Sequence, residues 1–440
     1  MKTTLAFVAV ALGPLSAAAP GDWPRFRGPR GTGVSDEEGL PEHWSTTENV
    51  AWSVPVAGRG WSSPIVTSGR VLVTSAVPDG EDVEPRKGLY FGGERREPAE
   101  MDYRWTITCL DSETGEMLWE RLAHQGRPQT PLHIKNSYAS PTPVSDGERF
   151  FASFSDVGIF AYDLDGKALW KHRLAPVATR RDWGGAASLV HHDGRLFVVN
   201  DNEDASYLLA LDAKSGETLW RVERDEASNW ATPFVWESGE RTELVTAGTR
   251  RVRSYDLEGG LLWELAGMSS ITIATPYAAG GLLYVTSGYV MDRRRPIFAI
   301  RPGARGDISP DGEEPGEAIA WSRGRGAPYN PSTLVYDGHL YVLLDAGFLA
   351  CYDAGTGEEL YGKQRLGGRG GFTASPWAYG GNVFCLDENG ETFVIRAGDE
   401  FELSHTNSLG EMCMATPAIA EGSLFVRTLS RLTCLRRSGG

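Results

Sequence analysis

Bulky aromatic residues stand beside basic ones at a recurring place in this chain. Arg59 and Trp61, Lys135 and Tyr138, Arg181 and Trp183, Arg325 and Tyr329, and Arg369 and Phe372 each lie a few residues ahead of an apolar run. Trp230 holds the same place without a cation. Indole and phenol faces stack on flat groups, and guanidinium or ammonium groups hold anions. Brought to one end of a fold, these residues would make a binding site for a planar anionic ligand. The competing reading is an aromatic plug with solvated cations. Other chemistry is weaker. Asp201-Asn202-Glu203-Asp204 carries oxygen donors but lacks the spacing of a calcium loop, and reads as a solvated loop. The glycine-rich 367–371 stretch has no helix after it and reads as a connector. The His residues show no metal spacing; His191 and His192 read as hairpin residues, and no Ser-His-Asp or Cys-His arrangement emerges.

The elements that must position these loops are repeats. Asp111-Ser112-Glu113-Thr114-Gly115-Glu116-Met117-Leu118-Trp119 returns as Asp212-Ala213-Lys214-Ser215-Gly216-Glu217-Thr218-Leu219-Trp220, with looser copies at 163–170, 256–263 and 353–361. Each copy is a strand end, a turn whose Gly takes positive φ, and a new strand carrying a large packing residue. A second mark opens each repeat: Ser63-Pro64, Ser140-Pro141, Thr232-Pro233, Thr275-Pro276, Ser375-Pro376 and Thr416-Pro417, with degenerate copies at Ser188 and Ser332. A period of about 40 to 50 residues built from strands means a propeller or an array. The pattern predicts an all-β, eight-bladed β-propeller of four-stranded blades over residues 49–436. The last repeat stops after its third strand, while an orphan strand at 50–56 carries Trp52 in the Trp119 role. The N-terminal strand is therefore expected to close the ring and remove an open sheet edge.

Composition fits this plan, with 53 Gly and 25 Pro for turns and 14 Trp for packing between blades. The formal net charge of −15 argues against nucleic acid or an anionic membrane as a general partner. Residues 1–19 read as a cleavable signal peptide: Lys2, a short apolar stretch and a run of small residues. The stretch is too short to span a bilayer. No Cys precedes Cys109, which leaves no site for a lipid anchor. A periplasmic or secreted monomer follows, with residues 20–48 as an extension ahead of the propeller. Cys109, Cys351 and Cys434 fall at equivalent third-strand positions and, with Cys385 and Cys413, read as small buried residues, not a disulfide frame.

The repeats resemble those of the pyrroloquinoline-quinone-like (PQQ-like) propeller family, the quinoprotein alcohol dehydrogenase-like superfamily. Its docking pattern Ala-x-Asp-x-x-Thr-Gly-x-x-x-Trp is met closely from Ala210 to Trp220, and with Cys at the first position from Cys109 to Trp119. The opening Asp22-Trp23-Pro24-Arg25-Phe26-Arg27-Gly28-Pro29 resembles a group of exported bacterial propellers of undefined role. The same repeat serves dehydrogenases and the scaffold lipoprotein of outer-membrane protein assembly, so the resemblance implies the fold more than an activity. The dehydrogenases carry a vicinal Cys pair against PQQ and calcium ligands; no two Cys are adjacent here, and no matching calcium motif is found. The expectation is a non-catalytic binding or scaffolding module for a protein partner or a small anionic ligand. The alternative is a PQQ- and calcium-dependent dehydrogenase of alcohols or sugars. Two insertions interrupt the period. Residues 78–104, heavily charged, would lie at the mouth as a lid or a plain excursion; residues 301–317 would lie at the opposite face.

Overall fold

The computed structural model describes residues 21–89, 97–310, 316–367 and 370–438. Its strands form eight antiparallel blades in a ring. The first blade runs through Ile65–Thr67, Arg70–Pro78, Tyr103–Asp111 and Met117–Gly126, strands A to D from the axis outward, and the next six repeat this order. The eighth takes Ala418–Ala420, Ser423–Arg427 and Arg431–Arg436 from the C-terminal end and Val50–Pro55 from the N-terminal end. Trp52 lies opposite Cys434, and Val54 opposite Leu432. Ring closure by the N-terminal strand is thus as the orphan strand predicted.

Neighbouring blades dock through the repeated tryptophan. The Trp119 indole lies against Gly166 of the next blade, where an added Cβ would sit 2.6 Å from the ring, and its Nε1 donates to the Leu164 carbonyl at 3.0 Å. Trp170 on Gly216, with Nε1 to Ala213 at 3.1 Å, repeats the arrangement. Trp321 does so on Gly357, donating to Ala354 at 2.8 Å. Opposite the indole within its own blade stands a small residue: Cys109 faces Trp119, Ala210 faces Trp220, Ala299 faces Trp321 and Cys434 faces Trp52. This is why cysteines recur at that place; all five are free and buried. Trp119 and Trp263 are buried, whereas Trp170 and Trp220 are only partly so.

Trp263 departs from the rule for a visible reason. The 301–317 insertion replaces the turn on which it would dock. Gly306–Asp307 pairs parallel to the outer strand of blade 4 at Trp263 and Glu264, so that blade gains a fifth strand and its edge is covered. Trp263 Nε1 instead donates to the fully buried Glu243 carboxylate at 2.6 Å, which also takes Arg241 and the Ser254 hydroxyl.

The segment ahead of the first strand is not a loose tail. Trp23 pairs with Val66 of blade 1, the Pro24 carbonyl accepts Ser145 N of blade 2, and Gly33 and Ser35 bond Ala378 of blade 7. In between, Arg27 is buried in the bore: Nη2 donates to the Thr32 and Thr333 carbonyls at 2.7 and 2.6 Å, and the guanidinium lies 4.7 Å from the Tyr277 ring centre. Burial without a carboxylate partner pulls its pKa down to about 10. Residues 22–35 therefore strap the hairpin end of the ring from blade 1 to blade 7. No helix among the described residues is long and apolar enough to cross a membrane.

Candidate functional site

The strap makes the bore a dead end. Above it lies a cavity of about 600 Å3 floored by Phe26 and open at the end that carries the D–A and B–C loops. Its lower wall contains one hydroxyl from every blade: Ser63, Thr142, Ser188, Thr232, Thr275, Ser332, Ser375 and Thr416. Seven of these are the Ser or Thr read as opening a repeat, with Thr142 in place of Ser140 in blade 2, and the structure shows their purpose. Ser63 N donates to Thr142 Oγ1, Thr142 N to Ser188 Oγ and Ser188 N to Thr232 Oγ1, at 3.0, 2.9 and 3.1 Å. Thr275, Ser332 and Ser375 donate in the same sense to Ser332, Ser375 and Thr416 at 3.0, 3.0 and 2.9 Å. Six of the eight hydroxyls thus satisfy a buried amide of the neighbouring blade and can still offer their own proton to the bore.

Aromatic rings form the upper wall. Trp61, Trp183, Trp230 and Tyr329 all line it, as does Lys135. Trp183 and Trp230 are tilted against each other at 5.5 Å, and Tyr289 and Tyr329 at 5.4 Å. Trp230 is held by Nε1 donating to the Gly184 carbonyl at 2.5 Å.

Tyr138 is not in this ring. Two Ser/Thr-Pro dipeptides lie two residues apart in blade 2, and the one that occupies the hydroxyl belt is Thr142-Pro143, not Ser140-Pro141. The shift places Ser140 in the cavity and sends Tyr138 outward, where it packs edge-on to Tyr103 at 5.2 Å. Tyr138 and Arg59 line a separate recess of about 110 Å3 under the first insertion. Arg59 is already engaged, to Asp82 at 3.2 Å and the Val83 carbonyl at 2.7 Å.

Lys135 is engaged too. Its Nζ meets the fully buried Glu388 carboxylate of blade 7 at 2.5 Å and the Gly88 carbonyl at 3.0 Å. Glu388 also accepts Gly88 N and the Thr373 hydroxyl. The first insertion is thus latched across the mouth to blade 7, with Leu89 on the cavity wall. Arg181 lies 5.8 Å from the Trp183 ring centre. Arg325 belongs to an arginine groove farther out, with Arg293, Arg294 and Arg323. Arg369 lies outside the described residues. Arg295, which the sequence reading passed over, lines the cavity with Lys363, and its Nε has no hydrogen-bond partner. Only its place on a B–C loop, one of the two loop sets at the mouth, could have flagged it.

The acidic run is half buried and half solvated: Asp201 is buried and binds Arg224 at 2.8 Å, whereas Glu203 and Asp204 are exposed, with Glu203 accepting the Ser228 hydroxyl at 2.8 Å. Among the described residues no group of three His, Cys, Asp or Glu is placed to hold a metal ion. Asp345, the carboxylate on the cavity wall, takes Tyr329 N, Asn330 N and Asn330 Nδ2 at 2.8, 3.0 and 2.6 Å. Desolvation raises its pKa. The cysteines are buried and none is disulfide-bonded. These residues do not fit the quinone–calcium pair of the dehydrogenases.

Comparison with known proteins agrees with the repeat reading. The family model described as outer membrane protein assembly factor BamB matches residues 35–207. These are PQQ-like propeller repeats. The BamB of Yersinia pestis is 23% identical over 190 residues, 39% of this chain; the match spans only 45% of that relative's length. The crystal structure of BamB from Moraxella catarrhalis superposes with TM-score 0.57 at 12% identity, over 88% of this chain and 98% of that one. Quinohemoprotein alcohol dehydrogenase from Comamonas testosteroni gives TM-score 0.63 at 12% identity, over 97% and 82%. At such identities the structural likenesses show that PQQ-like propellers share this fold, and nothing finer.

Proposed function

We propose that this protein is an exported, monomeric, non-catalytic binding module whose working site is the dead-end cavity at the mouth. The supporting observation is the cavity's construction: a closed floor at Phe26, a belt of hydroxyls, and walls of Trp61, Trp183, Trp230 and Tyr329. Such a cup suits a flat, unsaturated group inserted edge-first, with its polar rim on the hydroxyls. Arg295 and Lys363 are the cations available to an anionic substituent, since Lys135 and Arg59 hold internal carboxylates. Likeness to BamB supports a module that acts by binding; export and a periplasmic or secreted location rest on the 1–19 segment, outside the described residues.

The test is titration with pyrroloquinoline quinone, a flat anion, followed by tryptophan fluorescence with and without Ca2+. Calcium-independent quenching that disappears in Trp183→Ala/Trp230→Ala, with no dye reduction on adding alcohols or sugars, supports the reading. Calcium-dependent dye reduction would overturn it in favour of a dehydrogenase, and quenching unchanged by the double substitution would remove the cavity from the site.

A further inference from the structure

The arginine groove shares a wall with the cavity. The segment from Tyr289 to Arg295 supplies Tyr289, Val290 and Met291 to the cup, turns outward with Arg293 and Arg294, and returns to the cup with Arg295. Arg323 and Arg325 face it from the end of the same blade, and the two segments are stitched by Arg295 N donating to the Gly324 carbonyl at 3.1 Å. Arg323 is paired, to Glu359 at 3.3 Å. Arg293, Arg294 and Arg325 are exposed and form no ion pair among the described residues. The nearby Asp292 carboxylate is taken by Ser270 N.

Like charges held this close repel, and here they do so in a chain of formal charge −15 that has carboxylates to spare. Beside them Met291 is 67% exposed on the rim of the cup. Charge and apolar surface therefore adjoin, and the polarity of the patch is opposite to that of the molecule.

We propose that the arginine groove and the cup together bind an acidic peptide segment of a partner protein. Its carboxylates lie on Arg293, Arg294 and Arg325, and an aromatic side chain of the same segment enters the cup. This rests on the proposed role of the cavity. An anionic bilayer is the poorer match, because the rest of the protein would be repelled from it.

Fluorescence anisotropy tests this with three labelled dodecapeptides: one of Glu and Asp around a central Phe, the same with Gln and Asn, and the acidic one with Ser for Phe. The first should bind tightest, and Arg293→Ser/Arg325→Ser should weaken it at least about tenfold at low salt and flatten its salt dependence. If the double variant binds the acidic peptide as wild type does, the groove is not the site. If phosphatidylglycerol vesicles or inorganic phosphate bind in an arginine-dependent way and the peptide does not, the occupant is wrong. Trp183→Ala/Trp230→Ala separates the two proposals. Loss of the preference for Phe over Ser in this variant supports the joint site. Acidic binding that is arginine-dependent but indifferent to Phe in the wild type overturns the joint site and leaves the cavity reading to the quinone titration.

Discussion

The indole of Trp52 lies over Gly115. A Cβ on that glycine would meet the ring at 2.6 Å, and Trp52 Nε1 donates to the Ser112 carbonyl at 3.1 Å. This contact joins the eighth blade to the first, and it is the same contact that Trp119 makes with Gly166. Gly115 has φ +75° and Gly166 φ +77°, so an alanine at either is strained twice, by the backbone and by the ring. Gly115→Ala and Gly166→Ala should each cost about 2–4 kcal/mol, read from urea unfolding. Equal costs would mark the closure as an ordinary blade junction.

Removing residues up to 56 leaves the Arg431–Arg436 strand without its outer partner and also takes away the strap. The loss should be at least about 4 kcal/mol and should bring aggregation through the open edge. A truncated protein that melts with the wild type would contradict the pairing.

The docking tryptophans should rank by burial. Trp263→Ala removes a fully buried indole and a donor to Glu243, and should cost about 4–5 kcal/mol. Trp170→Ala, at a partly buried position, should cost about 3 kcal/mol or less. Thermal melts of the two variants check the order.

The latch across the mouth depends on Glu388, which has no exposed side-chain surface. Glu388→Gln keeps one acceptor oxygen, enough for Gly88 N or the Thr373 hydroxyl but not both, and leaves Lys135 Nζ without its counter-charge. A loss of about 3 kcal/mol is expected, with faster proteolysis inside 78–104. Unchanged cleavage would show that the insertion is held by other contacts.

His191 sets an acid limit. It packs flat against Phe151 at 6.2 Å, and burial pulls its pKa down to about 4; Asp146 opposes the shift, while Arg149, His192 and Arg25 add to it. A lowered pKa means the fold holds the neutral ring. The stability this represents is complete above the unfolded value near 6.5 and is lost as pH falls from there through about 4. His191→Phe should flatten the stability profile between those limits, as measured by unfolding at stepped pH.

Blade number and closure were readable because Trp52, Trp119, Trp220 and the turn glycines repeat with a fixed spacing. A repeated solution to one packing problem leaves a repeated mark. The site was only partly readable. Trp61, Trp183, Trp230 and Tyr329 share the cavity wall because their distance to strand A survives from blade to blade. Tyr138 was displaced by a doubled Ser/Thr-Pro motif, a two-residue ambiguity that only pairing resolves. The cations do not keep together: Lys135 reaches the cavity wall, while Arg59 lines the recess beside it and Arg325 the groove farther out. Side-chain reach lets Arg59 and Lys135 find carboxylates contributed by loops with no periodicity. The strap was invisible for the same reason: Phe26 and Arg27 occur once, and nothing in the repeats announces what fills the bore.

The hydroxyl belt has a consequence for how such a molecule can change. Its hydrogen bonds are made by backbone amides and by the smallest alcohol side chains, so the bore's width follows from the number of blades and hardly from which residues decorate the loops. What the cup admits by size is inherited with the ring. What it prefers by chemistry is inherited with the loops above it. The two traits sit on separate stretches of each repeat and can drift independently, and a new specificity can arise here without any blade being rebuilt.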